Sequence, residues 1–148
     1  MATGTLEPFY CYVSEKFLQS NHQNAARNVG VKGVPMVATY EDANLIVQLM
    51  RWGTELDLED ALNVIFSNSF DPDDVSVDSP AVRKVLRYGE TIGTLVKHDV
   101  LDRELLIDLM WVEGIWARVG AHARFARERT GEPALYGNFE ALATTVER

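Results

Sequence analysis

"SPAVRKVLRYGETIGTLVKHD", residues 79–99, decides the fold. Ser79 is a helix-capping residue, and Pro80 suits the first helical position, where its missing N–H costs nothing. Behind them Val82, Val85, Leu86, Gly89, Ile92, Gly93 and Val96 recur at spacings of three and four and fall on one helical face. Each of the two glycines costs about 1 kcal/mol of helix propensity relative to alanine. Their expected use is to admit another helix at short distance. Arg, Lys and Glu surround the pair, which removes a membrane Gly-x-x-x-Gly reading.

Working outward, "TYEDANLIVQLMRWG" (residues 39–53) reads as a helix with Thr39 as its cap and Asp42 near a capping-box position. Ala43, Leu45, Ile46, Val47, Leu49, Met50 and Trp52 cover more than half its circumference, an arc that predicts packing on more than one neighbour. Asp57 is placed to cap the next helix, with Leu58, Ala61, Leu62 and Ile65 as its stripe. Downstream, Asp102 caps "RELLIDLMW" between a Leu101 and Leu106 staple. Gly114 is expected to break or bend the chain before a long helix that ends at Gly131, with Pro133 just beyond. A last helix from about Asn138 presents Phe139, Leu142 and Val146. No stretch alternates with period two, and "VSVD" is too short to found a sheet. The expectation is all-α: a compact bundle of six or seven helices with no significant sheet, occupying residues 39–148.

Residues 1–38 read differently. A short helix over residues 6–20 would carry Phe9, Tyr12, Val13, Phe17 and Leu18, with Pro8 near its start. "NHQNAARNVGVKGVP" then forms a polar arm or linker.

At 148 residues, 47% hydrophobic and 24% charged, the chain has the mixture of one soluble domain. The single cysteine, Cys11, excludes an intramolecular disulfide and a thiolate zinc cage. The first residues lack a basic region followed by a continuous apolar one, and no run approaches 18 apolar residues, so a cytoplasmic location without a membrane span is expected. The net charge of −8 is uneven: residues 41–78 hold ten acidic groups against one Arg, whereas residues 79–148 hold ten of each sign. An acidic middle repels phosphate backbones, so nucleic-acid binding is disfavoured despite four Arg within residues 118–129.

Motifs that carry chemistry are missing. In "FDPDDVSVDSP" the fifth, sixth and twelfth places counted from Asp71 hold Val75, Ser76 and Val82, which cannot complete a calcium loop. His22, His98 and His122 have no metal-ligand spacing, and no Gly-rich phosphate loop or nucleophile elbow is present, so neither metal nor cofactor is implied. Cys11 has only Lys16 as a cationic neighbour and is not read as an activated thiolate. What remains is residues 110–142, with two Trp, one His, four Arg, four Glu and a Tyr. There Trp111, Ile115, Arg118, His122, Phe125 and Arg129 follow at steps of four and three, a stripe able to line a pocket for an anionic or aromatic ligand. Arginine stems lying on apolar surface, and a histidine bonded to backbone, explain the same stripe without a ligand. Glu90, with Arg87 and Arg83 one and two turns earlier, reads as an ion-paired carboxylate or, less economically, a general base.

"VRKVLRYGETIGTLVKHDVLDRELL", Trp116 with Arg127 or Arg129, and "EPALYGNFEALA" together resemble an uncharacterised helical family, domain of unknown function 4760. Its members are often bacterial and often carry membrane helices ahead of the domain; no settled activity comes with the likeness. The resemblance implies that Glu90, Trp116, Arg129, Pro133, Tyr136, Asn138, Phe139 and Glu140 hold family-pattern positions. Most of these have a structural use: Tyr136 and Phe139 can dock the last helix on Trp116, and Glu140 can clamp Arg127 or Arg129.

Two functional readings follow. The first is a non-catalytic interaction module, homodimeric through the arc of residues 43–52 and the Gly89–Gly93 face, or joined to an unidentified protein partner. The second is a small-molecule-binding or hydrolytic domain with Glu90, Trp116, Arg118, His122, Arg129 and Tyr136 around a pocket.

Overall fold

The computed structural model describes residues 40–76 and 78–144. The Thr39 cap, the segment and arm within residues 1–38, and Val146 fall outside them. Six helices make up the described residues, with no strand among them: α1 Tyr40–Glu55, α2 Leu58–Phe66, α3 Pro80–Lys97, α4 Arg103–Leu109, α5 Val112–Thr130 and α6 Gly137–Thr144.

α3 is the central helix and packs on α2, α5 and α6. Pro80 opens it, and Ser79 Oγ accepts from Val82 N at 3.4 Å. Its glycines do what their spacing predicts. A Cβ on Gly89 would stand 2.4 Å from the Phe139 ring, and one on Gly93 would stand 2.5 Å from the Asn138 carbonyl. The missing side chains are therefore the seat of α6, and Phe139 is fully buried there. The core runs on through Ile65 of α2, Val85 and Ile92 of α3, and Ile115 and Val119 of α5.

The other starts and stops hold with two corrections. Asp102 accepts from Leu105 N at 2.7 Å between a buried Leu101 and Leu106, and Gly131 ends α5 in the left-handed region at φ 73°. Asp57 stands at the start of α2, but its backbone is left-handed (φ 50°) and its side chain makes no capping bond. That carboxylate instead accepts from Lys84 Nζ of α3 at 3.4 Å. Gly114 does not mark the break either. The chain turns at Met110 and Trp111, and Gly114 lies inside α5 because the Trp111 indole folds over it, 2.2 Å from where a Cβ would be. Glycine there is a spacer for a neighbouring ring rather than a hinge.

α1 departs most from expectation. Its arc meets α2 and α3 yet is only partly covered: Ile46, Leu49 and Gly53 are buried, whereas Ala43 and Val47 are exposed, Val47 by 64%. Contact with α2 and a bond from Tyr88 Oη to the Leu49 carbonyl (2.9 Å) hold the helix from one side. Trp52 adds a ring contact to Tyr88 at 5.1 Å.

Candidate functional site

A groove enclosing about 270 Å³ opens between α1, α2, α3 and α4. Leu62, Ile92 and Leu106 form its floor, Ile46, Met50, Leu109 and Met110 its walls, and Asp57, Glu59 and Asp60 its rim. A lining this aliphatic suits an apolar guest, and the three carboxylates favour positive charge at its margin. Ala43, Val47, Met50 and Thr54 step along α1 at helical spacing, so the exposed apolar stripe of that helix runs into the groove. Sequence reasoning read the arc of residues 43–52 as a surface for packing and dimerisation but did not place the groove beside it, because the residues of α2, α3 and α4 that complete the groove are distant in sequence.

None of the six residues singled out in the sequence lines that groove. The structure divides them. Glu90 reaches from α3 to the start of α6, where Oε2 accepts from Asn138 N and Phe139 N, each at 3.0 Å, and Oε1 accepts from Asn138 Nδ2 at 2.8 Å. The residue in the N-cap slot of α6 is Tyr136, held at φ 57°, and a tyrosine has no short oxygen for that duty. Glu90 supplies the cap from another helix, with its charge at the positive end of the α6 dipole. The ion pair expected with Arg83 or Arg87 gives way to this role; Arg83 pairs with Asp78. Trp116 meets Phe139 edge-on at 5.2 Å. Arg127, not Arg129, makes the clamp to Glu140 at 2.6 Å, and also donates to the Leu135 carbonyl at 2.7 Å. Glu90, Trp116 and Tyr136 thus gather around the seat of α6.

Arg118 and His122 gather elsewhere, at the end of α2. Arg118 Nε donates to the Ile65 carbonyl at 2.7 Å, Nη2 donates to the Phe70 carbonyl at 3.0 Å, and the guanidinium lies 5.2 Å from the Phe70 ring centre. The first of these bonds satisfies a carbonyl that the last turn of α2 leaves open, and the second one in the loop that follows. His122 stacks on the same Phe70 ring, with centroids 5.8 Å apart, and its Nε2 is buried without a hydrogen-bond partner among the described residues. Burial lowers its pKa below the usual histidine value, and the negative charge of Asp74 opposes that shift. Arg129 is exposed in the last turn of α5.

The acidic loop is a solvated turn region. Asp71 Oδ1 accepts from Asp73 N at 3.0 Å and Asp74 Oδ1 accepts from Ser76 N at 3.2 Å. No group of three or more His, Cys, Asp or Glu among the described residues is arranged to hold a metal ion. No helix among them is long and apolar enough to cross a membrane.

No curated protein and no solved structure matches the chain. A family model does, and it reaches back through α1 and α2, well beyond the C-terminal stretches that carry the resemblance in the sequence. Matched over residues 38–146, the chain belongs to the family described as Domain of unknown function (DUF4760).

Proposed function

We propose that this domain is a non-catalytic helical recognition module whose working surface is the α1–α4 groove, and that its guest is an amphipathic helix with basic residues beside its apolar face. One observation carries the reading: the α1 stripe, with Val47 64% exposed and Met50 38%, continues into an apolar groove rimmed by Asp57, Glu59 and Asp60. Helix-in-groove recognition needs anchors at helical spacing and a slot to receive them. The polar residues elsewhere favour the non-catalytic side of this reading. Glu90 and Arg118 are engaged in bonds to backbone.

Homodimerisation loses one of its two motives, because the Gly89–Gly93 face receives α6 of the same chain. The small-molecule alternative would need Glu90, Trp116 and Tyr136 to share a pocket with Arg118 and His122, which stand at another corner of the bundle.

The test is an NMR titration of the full chain with a synthetic leucine–lysine amphipathic helix, carried to about 1 mM. Shifts confined to α1 and α4, and weakened at least about tenfold by Met50→Glu, are expected; that factor is about 1.4 kcal/mol. Binding indifferent to Met50→Glu, or no binding, would overturn the proposal.

A further inference from the structure

Resting on that reading, we infer that the groove is built for one aromatic anchor: the guest helix inserts a tryptophan side chain between α1 and α4 and carries a lysine or arginine one turn from it, over Glu59 and Asp60 of the rim. Size argues for two rings. An apolar cavity of about 150 Å³ is enough to hold benzene, and this one encloses about 270 Å³. A leucine or valine side chain would leave much of that space unfilled, and unfilled apolar volume is a loss to binding as it is to folding. A single indole suits the volume, and further apolar residues of the same guest then lie along the exposed Val47 and Ala43. Tryptophan anchors in fitted pockets carry a disproportionate share of binding energy.

The chemistry of the lining favours an aromatic ring over an aliphatic chain. Met50 and Met110 stand in the walls, and Tyr88 also lines the groove. Thioether sulfur makes favourable contacts with aromatic rings, and the unbranched methionine side chain adapts to a ring's shape. The Tyr88 hydroxyl is committed to the Leu49 carbonyl, so what Tyr88 offers a guest is ring surface. A buried indole N–H needs an acceptor, and carboxylates stand at the mouth. They are not equivalent. Asp57 already accepts from Lys84, whereas Glu59 and Asp60 are exposed and have no ion-pair partner among the described residues. Residues one turn apart on a helix stand about 5–6 Å from each other, so a cation one turn from the anchor comes within a side chain's reach of that pair. The wider charge agrees, since residues 41–78 hold ten acidic groups against one Arg.

Two synthetic peptides decide it: the leucine–lysine helix of the titration above, and the same helix with its central leucine replaced by tryptophan. Against the full chain, the tryptophan peptide should bind at least about tenfold more tightly. Its indole protons should show nuclear Overhauser contacts to the methyl groups of Met50, Leu62 and Leu106. Glu59→Gln/Asp60→Asn should weaken that peptide about threefold and flatten its salt dependence. Both side chains are exposed, so the bundle keeps its fold. Equal affinity of the two peptides, or indole contacts confined to Ala43 and Val47, overturns the anchor and leaves the groove reading standing. Affinity unmoved by the double substitution overturns the placement of the cation. If neither peptide binds, the groove reading fails and the anchor falls with it. Groove amide shifts that depend on protein concentration alone would seat a second copy there and overturn the assignment to a partner helix.

Discussion

Gly93→Ala separates tertiary packing from helix propensity, because the two predict opposite signs. Taken as an isolated helix position, alanine should stabilise by about 1 kcal/mol. In this fold the new Cβ would lie 2.5 Å from the carbonyl carbon and oxygen of Asn138 and 2.8 Å from Phe139 N. Ordinary contact begins at 3.4 Å, so α6 must retreat by about 0.9 Å, the difference between those two distances. The obstruction is backbone and cannot rotate away. Overpacking of this kind costs about 1–3 kcal/mol. Retreat also stretches the 3.0 Å bonds from Asn138 N and Phe139 N to Glu90, weakening a cap worth about 1 kcal/mol. After the propensity gain is subtracted, a loss of about 2 kcal/mol remains, which at this size lowers Tm by about 8 °C. Gly53→Ala is the internal control. Its Cβ would meet Leu58 and Tyr88 at 3.4 Å or more, so propensity should win and Tm should rise by about 4 °C. Thermal unfolding followed by far-UV circular dichroism measures both. A Gly93→Ala protein as stable as the parent, or more stable, would refute the close seating of α6.

The other predictions concern the polar groups. Glu90→Gln keeps the size of the side chain but presents an N–H₂ to donors, so it should lose about 2 kcal/mol in urea unfolding; an unchanged midpoint would remove Glu90 as the α6 cap. Arg118→Lys should also cost about 2 kcal/mol, since an ammonium cannot reach the Ile65 and Phe70 carbonyls in the forked geometry of a guanidinium; full stability in that variant would contradict the assignment. His122 has a folded pKa below its unfolded value, so the unfolded chain takes up the proton first. Stability is therefore lost as pH falls below about 6.5, by at most about 1.4 kcal/mol per pH unit, and the loss ends below the folded pKa. His122→Asn should flatten the pH dependence of Tm between about pH 7 and 5, and an identical slope in both proteins would discard the linkage.

The fold was legible where local chemistry decides it. Ser79 with Pro80, Asp102 between two leucines, and Gly131 mark helix ends through backbone geometry that each residue imposes on its neighbours. Gly89 and Gly93 announced a close contact for the same reason: nothing else accounts for two propensity losses on an apolar face. Legibility fails where the deciding partner is distant in sequence. Asp57 has the composition of a cap, yet Lys84, 27 residues away, takes its carboxylate. Gly114 has the composition of a break, and the ring of Trp111 makes it a spacer. Glu90 looked like a member of an i, i+3 ion pair, and its partners turned out to be amides 48 and 49 positions later.

The same contrast explains why the residues that resemble a site lie away from the groove. Every helix leaves about four N–H and four C=O groups open at its two ends, and in helices as short as α2, α4 and α6 these are a large share of the backbone. A bundle built from such pieces must bring polar side chains inward to satisfy them. Glu90 does this for α6 and Arg118 for α2, each from a longer helix that passes by. Partly buried charge, which in a larger protein would point to catalysis, here follows from the number of helix ends. The surface that no cap requires is the apolar stripe of α1, the one the proposed guest would use. Carboxylates and guanidinium groups are conspicuous in a sequence, whereas which part of the residues 43–52 arc stays uncovered, the row of Ala43, Val47 and Met50, becomes visible only when the neighbours of α1 are known. Introducing a charge there, by Met50→Glu, should accordingly alter binding while leaving the bundle intact, because that side chain is already 38% exposed and caps nothing.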